Sequence, residues 1–262
     1  MTLAEAVQAS GLAPREARLL LAHAAAVSEA QILGFPEKEL PAAIGARFAD
    51  HVERRKRGEP FAYIVGEKEF YGLPLFVTPD VLVPRPETEL LVDLALEREF
   101  SSLADLGTGS GAVALAIKKH RPAARVVAVD ASAAALDVAR RNAARHGLEI
   151  ELRQGNWLGP LGGETYDAIV ANPPYVAAGD PHLAELRFEP GEALVAGPDG
   201  LDAIREIVAA APAHLCPGGW LLIEHGIGQD AAVRRLLQDA GLEDSRSWPD
   251  LAGIPRVSGA RR

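Results

Sequence analysis

The tetrapeptide Asn172-Pro173-Pro174-Tyr175 follows directly on the apolar run Tyr166-Asp167-Ala168-Ile169-Val170-Ala171 and lies downstream of a glycine loop, Asp105-Leu106-Gly107-Thr108-Gly109-Ser110-Gly111. These residue types suit chemistry on a planar, weakly nucleophilic NH2 group. An amide nitrogen is a poor nucleophile because its lone pair is delocalised into the carbonyl, so its reactions need geometry more than basicity. The side-chain oxygen of Asn172 can accept one N–H and the main-chain carbonyl of Pro173 the other, while Tyr175 packs on the flat face of the group. Two acceptors hold the nitrogen in line with an electrophile and favour the partial positive charge that grows on it during transfer. No strong general base is then required. Pro173 and Pro174 stiffen the segment, and neither has an N–H to compete for the acceptors. Asn-Pro also commonly opens a turn after a buried strand, but the glycine loop upstream favours the chemical reading.

The loop itself has the spacing of a cofactor site. A strand ending at Asp105 and followed by Gly107, Gly109 and Gly111 puts side-chain-free positions at a strand-to-helix turn, where a ligand must approach backbone closely. The next strand ends in Asp130, a natural acceptor for two ribose hydroxyls. A dinucleotide-binding domain has the same glycine turn and an acidic residue at a similar distance, so the loop alone fits an NAD enzyme as well as a methyl-donor enzyme. Trp157 follows the third strand, either as a stacking face for an adenine or as a core tryptophan. Loop and tetrapeptide together describe an S-adenosylmethionine-dependent amino-group methyltransferase; a dehydrogenase would leave Asn172 to Tyr175 idle.

The elements that must position these residues are legible in outline. Residues 1–66 carry helical patterning with almost no strand signal: a possible Thr2/Glu5 capping box, a helix from Pro14 to about Ala26, and another from Pro41 to Arg57 stopped by Gly58. Arg54-Arg55-Lys56-Arg57 reads as a solvated helix end or as a docking patch. Residues 67–86 switch to short β-branched and aromatic runs broken by Gly72, Pro74, Pro79, Pro84 and Pro86, an irregular hairpin linking two domains. From 87 to 262 the pattern alternates. Strands are expected at Leu103–Leu106, Arg125–Val129, Ile150–Arg153, Ala168–Ala171 and Trp220–Glu224, with helices at Ala112–His120, Ala133–His146, Leu201–Leu215 and Asp230–Ala240. Such alternation predicts an α/β domain with a parallel sheet covered on both faces, and the tail from Leu242 returns as one or two strands.

Composition bounds the rest. A net charge of −9 disfavours a protein whose affinity comes from neutralising phosphates, so no stable nucleic-acid binding is expected. A single cysteine, Cys216, excludes an internal disulfide or a multi-cysteine metal site and fits a reducing compartment, the cytoplasm by default; no metal is expected. Cys216 reads as a small buried residue in a turn before Pro217-Gly218-Gly219. The N-terminus lacks a basic stretch and the apolar run Leu19 to Val27 is too short to span a bilayer, so neither a signal peptide nor a membrane segment is expected. Glu224 and His225 stand at a strand end, either simply placed there or beside the cofactor. His182 reads as a loop residue.

Glycine loop, acidic strand end and Asn-Pro-Pro-Tyr in this order are similar to class I methyltransferases acting on exocyclic or amide nitrogens. Further segments narrow the likeness: Tyr63 to Gly72, Val83-Pro84-Arg85-Pro86-Glu87-Thr88-Glu89, Phe188-Glu189-Pro190, Asp199-Gly200-Leu201-Asp202, Pro217-Gly218-Gly219 and Glu224-His225-Gly226. All resemble the HemK/PrmC family, the N5-glutamine methyltransferases of peptide chain release factors. The resemblance implies a five-helix N-terminal substrate-recognition domain, a hairpin linker and a Rossmann-like methyltransferase domain with a seven-stranded, mostly parallel sheet. It implies S-adenosyl-L-methionine as donor, with S-adenosyl-L-homocysteine as product. It implies the glutamine of the Gly-Gly-Gln motif in class 1 release factors as substrate; separately, a monomer is expected. Carried onto matching positions, Gly107, Thr108, Gly109, Ser110, Gly111 and Asp130 bind the donor, Trp157 lines its adenine side, and Asn172, Pro173, Pro174 and Tyr175 hold the glutamine amide, with Asn172 also bordering the donor. The Arg85-Pro86-Glu87-Thr88 segment distinguishes this family from a sister acting on a ribosomal protein. A DNA adenine-N6 methyltransferase using the same tetrapeptide is the alternative within the chemistry.

Overall fold

The computed structural model describes all 262 residues, which divide into two compact units, Met1–Gly66 and Glu67–Arg262. The first is all helical: α1 (Leu3–Ala9), α2 (Pro14–Ala25), α3 (Glu29–Gly34), α4 (Ala42–Lys56) and α5 (Phe61–Val65). Thr2 caps α1 as a reciprocal box, its hydroxyl accepting the Glu5 N–H at 3.2 Å while the Glu5 carboxylate accepts the Thr2 N–H at 2.8 Å. Ser28 and Gln31 repeat the device at α3. Leu20, Leu21, Ile32, Phe48, Val52 and Ile64 close the apolar centre. The basic end of α4 is less free than its sequence suggests, since Arg54 pairs with Glu59 and Arg55 with Glu16 at 2.6 Å.

The second unit opens with an antiparallel hairpin, β1 (Glu67–Phe70) and β2 (Leu73–Phe76). Phe70, Leu73 and Leu75 are buried in the same apolar cluster as the helices that follow. The Asn142 amide fastens the hairpin's end, accepting the Phe76 N–H at 2.7 Å and donating to the Phe76 carbonyl at 3.0 Å. A 3-10 turn at Pro86–Thr88 leads into α6 (Glu89–Leu96).

Alternation then builds the main sheet from β3 (Ser102–Leu106), α7 (Ala112–His120), β4 (Arg125–Asp130), α8 (Ala133–His146), β5 (Glu151–Gln154), β6 (Tyr166–Ala171), α9 (Asp202–His214), β7 (Leu215–Glu224), α10 (Asp230–Asp239), β8 (Glu243–Pro249) and β9 (Pro255–Arg261). The seven strands lie in the order β5-β4-β3-β6-β7-β9-β8. The first five are parallel, while β9 runs antiparallel to both β7 and β8. Side chains alternate between faces. Leu106, Val129, Ile169 and Leu221 enter one core, and Leu103, Ala128, Val170 and Leu222 enter the other, which is why the central strands read as unbroken apolar runs.

The seven-stranded, mostly parallel sheet, the small helical region and the hairpin are those expected. One local expectation fails: Cys216 and Pro217-Gly218-Gly219 lie in β7 rather than in a turn, and Cys216 is half-buried. A register shift between Tyr166 and Ala168 accommodates the extension, and a Cβ at Gly219 would stand 2.9–3.1 Å from three main-chain oxygens. No helix is long and apolar enough to cross a membrane.

Candidate active site

Strand order reverses at β3, whose neighbours are β4 on one side and β6 on the other. Open parallel sheets hold ligands in the crevice outside the carboxyl ends at such a point. The glycine loop leaves β3 there and Asn172-Pro173-Pro174-Tyr175 leaves β6 there. Leu106 is in register with both Val129 and Ala171, so Gly107, Asp130 and Asn172 emerge side by side. A cavity of about 320 Å3 opens at this place, within the roughly 300–1,000 Å3 usual for small-molecule pockets.

Gly107, Thr108, Gly109 and Ser110 form one wall of the cavity. Gly107 sits at φ +73°, and a Cβ there would stand 3.2 Å from the Trp157 ring, so the indole lies over the loop. Trp157 itself holds a left-handed backbone at φ +45°, an unusual conformation at the cavity's rim. Asp130 lines the cavity beside the loop and is anchored by two main-chain donors, Gly109 N–H at 2.8 Å and Ser132 N–H at 2.9 Å, one on each oxygen. Each carboxylate oxygen keeps a second lone pair. Gly111 lies outside the cavity, packed on Ala139 and Leu115 as it starts α7.

Asn172 and Pro174 also line the cavity; Pro173 is buried and Tyr175 is not part of the lining. The Asn172 Nδ2 donates to the Thr88 hydroxyl at 3.1 Å, and neither the Asn172 Oδ1 nor the Pro173 carbonyl accepts a hydrogen bond from within the protein. The Tyr175 hydroxyl points at the Glu224 carboxylate, 3.4 Å away. Burial and the neighbouring Glu224 charge push the Tyr175 hydroxyl well above the ordinary tyrosine range.

Several residues complete the frame. Gln229 clamps the segment after the tetrapeptide: its Nε2 donates to the carbonyls of Tyr175 (3.1 Å) and Asp199 (3.2 Å), and its Oε1 accepts the Gly226 N–H at 2.8 Å. Arg85 pairs with Glu189, whose other oxygen accepts the Val83 N–H at 3.0 Å, so Pro84-Arg85 and Phe188-Glu189-Pro190 are tied beside the cavity they both help line. The Glu189 side chain is only 2% exposed and Arg85 34%. Arg85→Ala leaves that carboxylate with one donor, and a loss of about 2–3 kcal/mol is expected, below the 3–5 of a fully buried pair because Arg85 is partly solvated. Urea unfolding checks this, with the double variant R85A/E189L expected to recover part of the loss.

Two carboxylates are held in low-dielectric surroundings. Asp105, buried at the end of β3, accepts from the Thr108 hydroxyl at 2.6 Å and the Ala114 N–H at 3.2 Å, yet burial pushes its pKa up to about 7. Glu224 is raised to about 7 by burial as well, against the pull of the Thr88 and Tyr175 hydroxyls, and its Oε2 has no hydrogen-bond partner. A raised carboxylate binds its proton more tightly folded than unfolded, so its stabilising contribution is complete below its ordinary value of 4.5 and is lost as pH rises through about 7. Glu224→Gln therefore becomes more stable relative to the wild type between pH 5 and 8, by up to about 3 kcal/mol. A constant difference in urea midpoint across that range would sink the assignment. The depressed carboxylates such as Glu164, held at about 2 by Arg153, Arg125 and Tyr166, titrate below this window.

Residues 86–187 match the family described as Methyltransferase small domain, and residues 2–66 match the PrmC N-terminal domain. A release factor glutamine methyltransferase of Xylella fastidiosa is 51% identical, covering 94% of this chain and 92% of its own. One of Burkholderia pseudomallei is 50% identical, with 99% and 96% covered. The chain belongs to the release factor glutamine methyltransferase family. Among solved structures, a methyltransferase from Pyrococcus furiosus superposes with a TM-score of 0.57 at 19% identity, covering 81% of this chain and 98% of that one. A Thermus thermophilus 16S rRNA N2 G1207 methyltransferase, in complex with AdoMet and guanosine, gives 0.57 at 22%, with 75% and 49% covered. Both share the fold.

As a release factor glutamine methyltransferase, the chain carries a site frame wider than its two motifs. Thr88 and the Arg85–Glu189 pair lie inside family-like segments and Gln229 three residues beyond one, but no residue type at those positions announces which loop it will meet. Asp105 had a local signal: an acidic residue ending the strand that feeds a glycine turn.

Proposed function

We propose that the protein transfers the methyl group of S-adenosyl-L-methionine to the N5 side-chain amide of the glutamine in the Gly-Gly-Gln motif of class 1 peptide chain release factors, leaving S-adenosyl-L-homocysteine. The observation that carries this reading is the placing of Asn172 against the glycine loop: a Cβ at Gly107 would lie 3.8 Å from the Asn172 carbonyl oxygen, so donor and acceptor groups share one cavity. Near-full-length identity to proteins named for that reaction supports the substrate.

The residues fit such a donor. Gly107 has no side chain where Trp157 closes over the loop, and Gly109 and Ser110 continue a wall of main chain. Asp130 offers two anchored oxygens to a ribose diol, and Trp157 a face to the adenine. Asp105 puts a carboxyl in the same cavity, where a cationic ligand would draw off its proton. Bound there, the donor supplies an electrophilic methyl on a sulfonium sulfur. The chain supplies placement. Asn172 Oδ1 and the Pro173 carbonyl accept the two N–H bonds of the amide, Pro174 borders the cavity beside them, and the nitrogen's lone pair is aimed at the methyl carbon. As the new C–N bond forms, the C–S electron pair stays with sulfur, and the nitrogen loses one proton to water.

Residues 1–66 serve as the substrate-recognition domain, 67–86 as the linking hairpin and 87–262 as the donor-binding domain. The enzyme works as a cytoplasmic monomer, with no membrane attachment and no stable hold on nucleic acid. The test is to incubate it with labelled donor and purified release factor, beside a factor whose motif glutamine is alanine, and to locate the label by peptide mass. Label on that glutamine and none in the control is the expected result. Label on a ribosomal protein or on DNA adenine instead would overturn the assignment.

A further inference from the structure

We infer that Thr88 is a positioning residue for methyl transfer: it fixes which end of the Asn172 amide faces the substrate. This rests on the reading above, in which Asn172 must present an acceptor. An asparagine amide is nearly symmetric in shape and opposite in function at its two ends, because Oδ1 accepts while Nδ2 only donates. A glutamine NH2 carries two donors. Turned by half a rotation, Asn172 would oppose them with donors of its own and hold nothing.

The surroundings decide the orientation. Asn172 Nδ2 lies 3.1 Å from the Thr88 oxygen, and Thr88 is buried, 4% exposed. Its hydroxyl acts on the buried Glu224 carboxyl, which is 1% exposed and whose Oε2 has no hydrogen-bond partner. Oγ1 accepts the Asn172 N–H through a lone pair, which leaves the single Thr88 proton free to turn toward that carboxyl. The amide must then offer Thr88 its nitrogen. Its oxygen is left on the cavity side, where Asn172 and Thr88 both form the lining. The Asn172–Thr88 bond, with Glu224 beside it, joins three segments far apart in the chain: the turn before α6, the residue after β6 and the end of β7.

Three variants and one isotope pattern test this. Thr88→Val keeps the shape but loses the hydroxyl; Thr88→Ser keeps the hydroxyl. In the methylation assay Thr88→Val lowers kcat about 10- to 100-fold with donor Kd unchanged, and Thr88→Ser restores it to within a few-fold. The chain has three asparagines, Asn142, Asn156 and Asn172, so asparagine-selective 15N labelling gives three side-chain NH2 pairs, assigned with Asn172→Ala. Asn142, fully buried and bonded to Phe76 and Ser110, is the fixed reference, and exposed Asn156 the free one. In the wild type the Asn172 pair exchanges more slowly than that of Asn156; in Thr88→Val only the Asn172 pair shifts and speeds up. A wild-type Asn172 pair as free as Asn156 would overturn the inference even if Thr88→Val failed to fold. So would full activity in Thr88→Val, or equal loss in Thr88→Ser. If the wild type did not methylate the motif glutamine, the substrate reading would fall, while the exchange comparison would still decide the Thr88 bond.

Discussion

Asn172→Ala lowers kcat for glutamine methylation by about 10²- to 10³-fold while the protein stays folded. Removing one preorganised polar partner of the reacting group typically costs that much when the group stabilises charge developing in the transition state. Here the nitrogen becomes partly positive as it attacks, and the acceptor that meets its N–H is worth most at that moment. Folding suffers less. The Asn172 side chain makes a single internal hydrogen bond, to Thr88, so its loss costs about 1–2 kcal/mol. Asn172 also borders the cavity, and a change in donor Kd of less than about tenfold is expected, because the loop, Asp130 and Trp157 remain. Measuring kcat at saturating donor, with donor Kd taken separately by calorimetry, divides the two effects. A variant that kept a third of wild-type kcat would mean that Asn172 does not hold the amide.

The residues at both ends of this cavity were legible because each carries its signal locally. A glycine loop after a strand, an acid at the next strand's end and a stiff Asn-Pro-Pro segment are patterns within a few residues, and a parallel sheet places strand ends together. The helices α3 and α5, of six and five residues, were not separately legible because neither completes two turns of periodic burial. The stretch of β7 through Pro217-Gly218-Gly219 reads as a turn, since its extended form is held by main-chain bonds of Gly218 and Gly219 to Arg262, more than 40 positions on, which the local sequence does not contain. The supports of the site belong to the same class. Thr88 meets Asn172 across 84 positions and Arg85 meets Glu189 across 104. Residue type and spacing say that a hydroxyl or a carboxylate is present; only the fold says what it faces. Glu224 is the clearest case: a strand-end acid in sequence, and in the structure a buried carboxyl facing the Tyr175 hydroxyl 49 positions away.

Gly200→Ala removes about 3 kcal/mol or more of stability and takes methylation with it. Gly200 holds φ +75°, and a Cβ there would lie 2.2 Å from the Tyr175 carbonyl oxygen and 2.8 Å from the Gln229 Nε2. The first atom is main chain and cannot swing aside. The second is the clamp that donates to that same carbonyl and to Asp199. Left-handed strain on a non-glycine residue costs roughly 1–3 kcal/mol, and forced overpacking roughly as much again. Relief requires the Tyr175 main chain to move, and with it the tetrapeptide that follows β6, where a shift of about 1 Å costs on the order of 10²-fold in rate. Gly228 separates the two causes: it holds φ +77°, but a Cβ there meets nothing within 4 Å. Gly228→Ala therefore carries the backbone strain without the collision, and should lose only about 1 kcal/mol with kcat close to wild type. Urea midpoints and kcat for both variants, measured side by side, decide the matter. Equal losses would mean that backbone strain alone is at work and that Gly200 does not set the position of Tyr175. A large excess for Gly200→Ala, with donor affinity preserved, would place the damage at the substrate end of the cavity, where main chain and not side chain makes the contact.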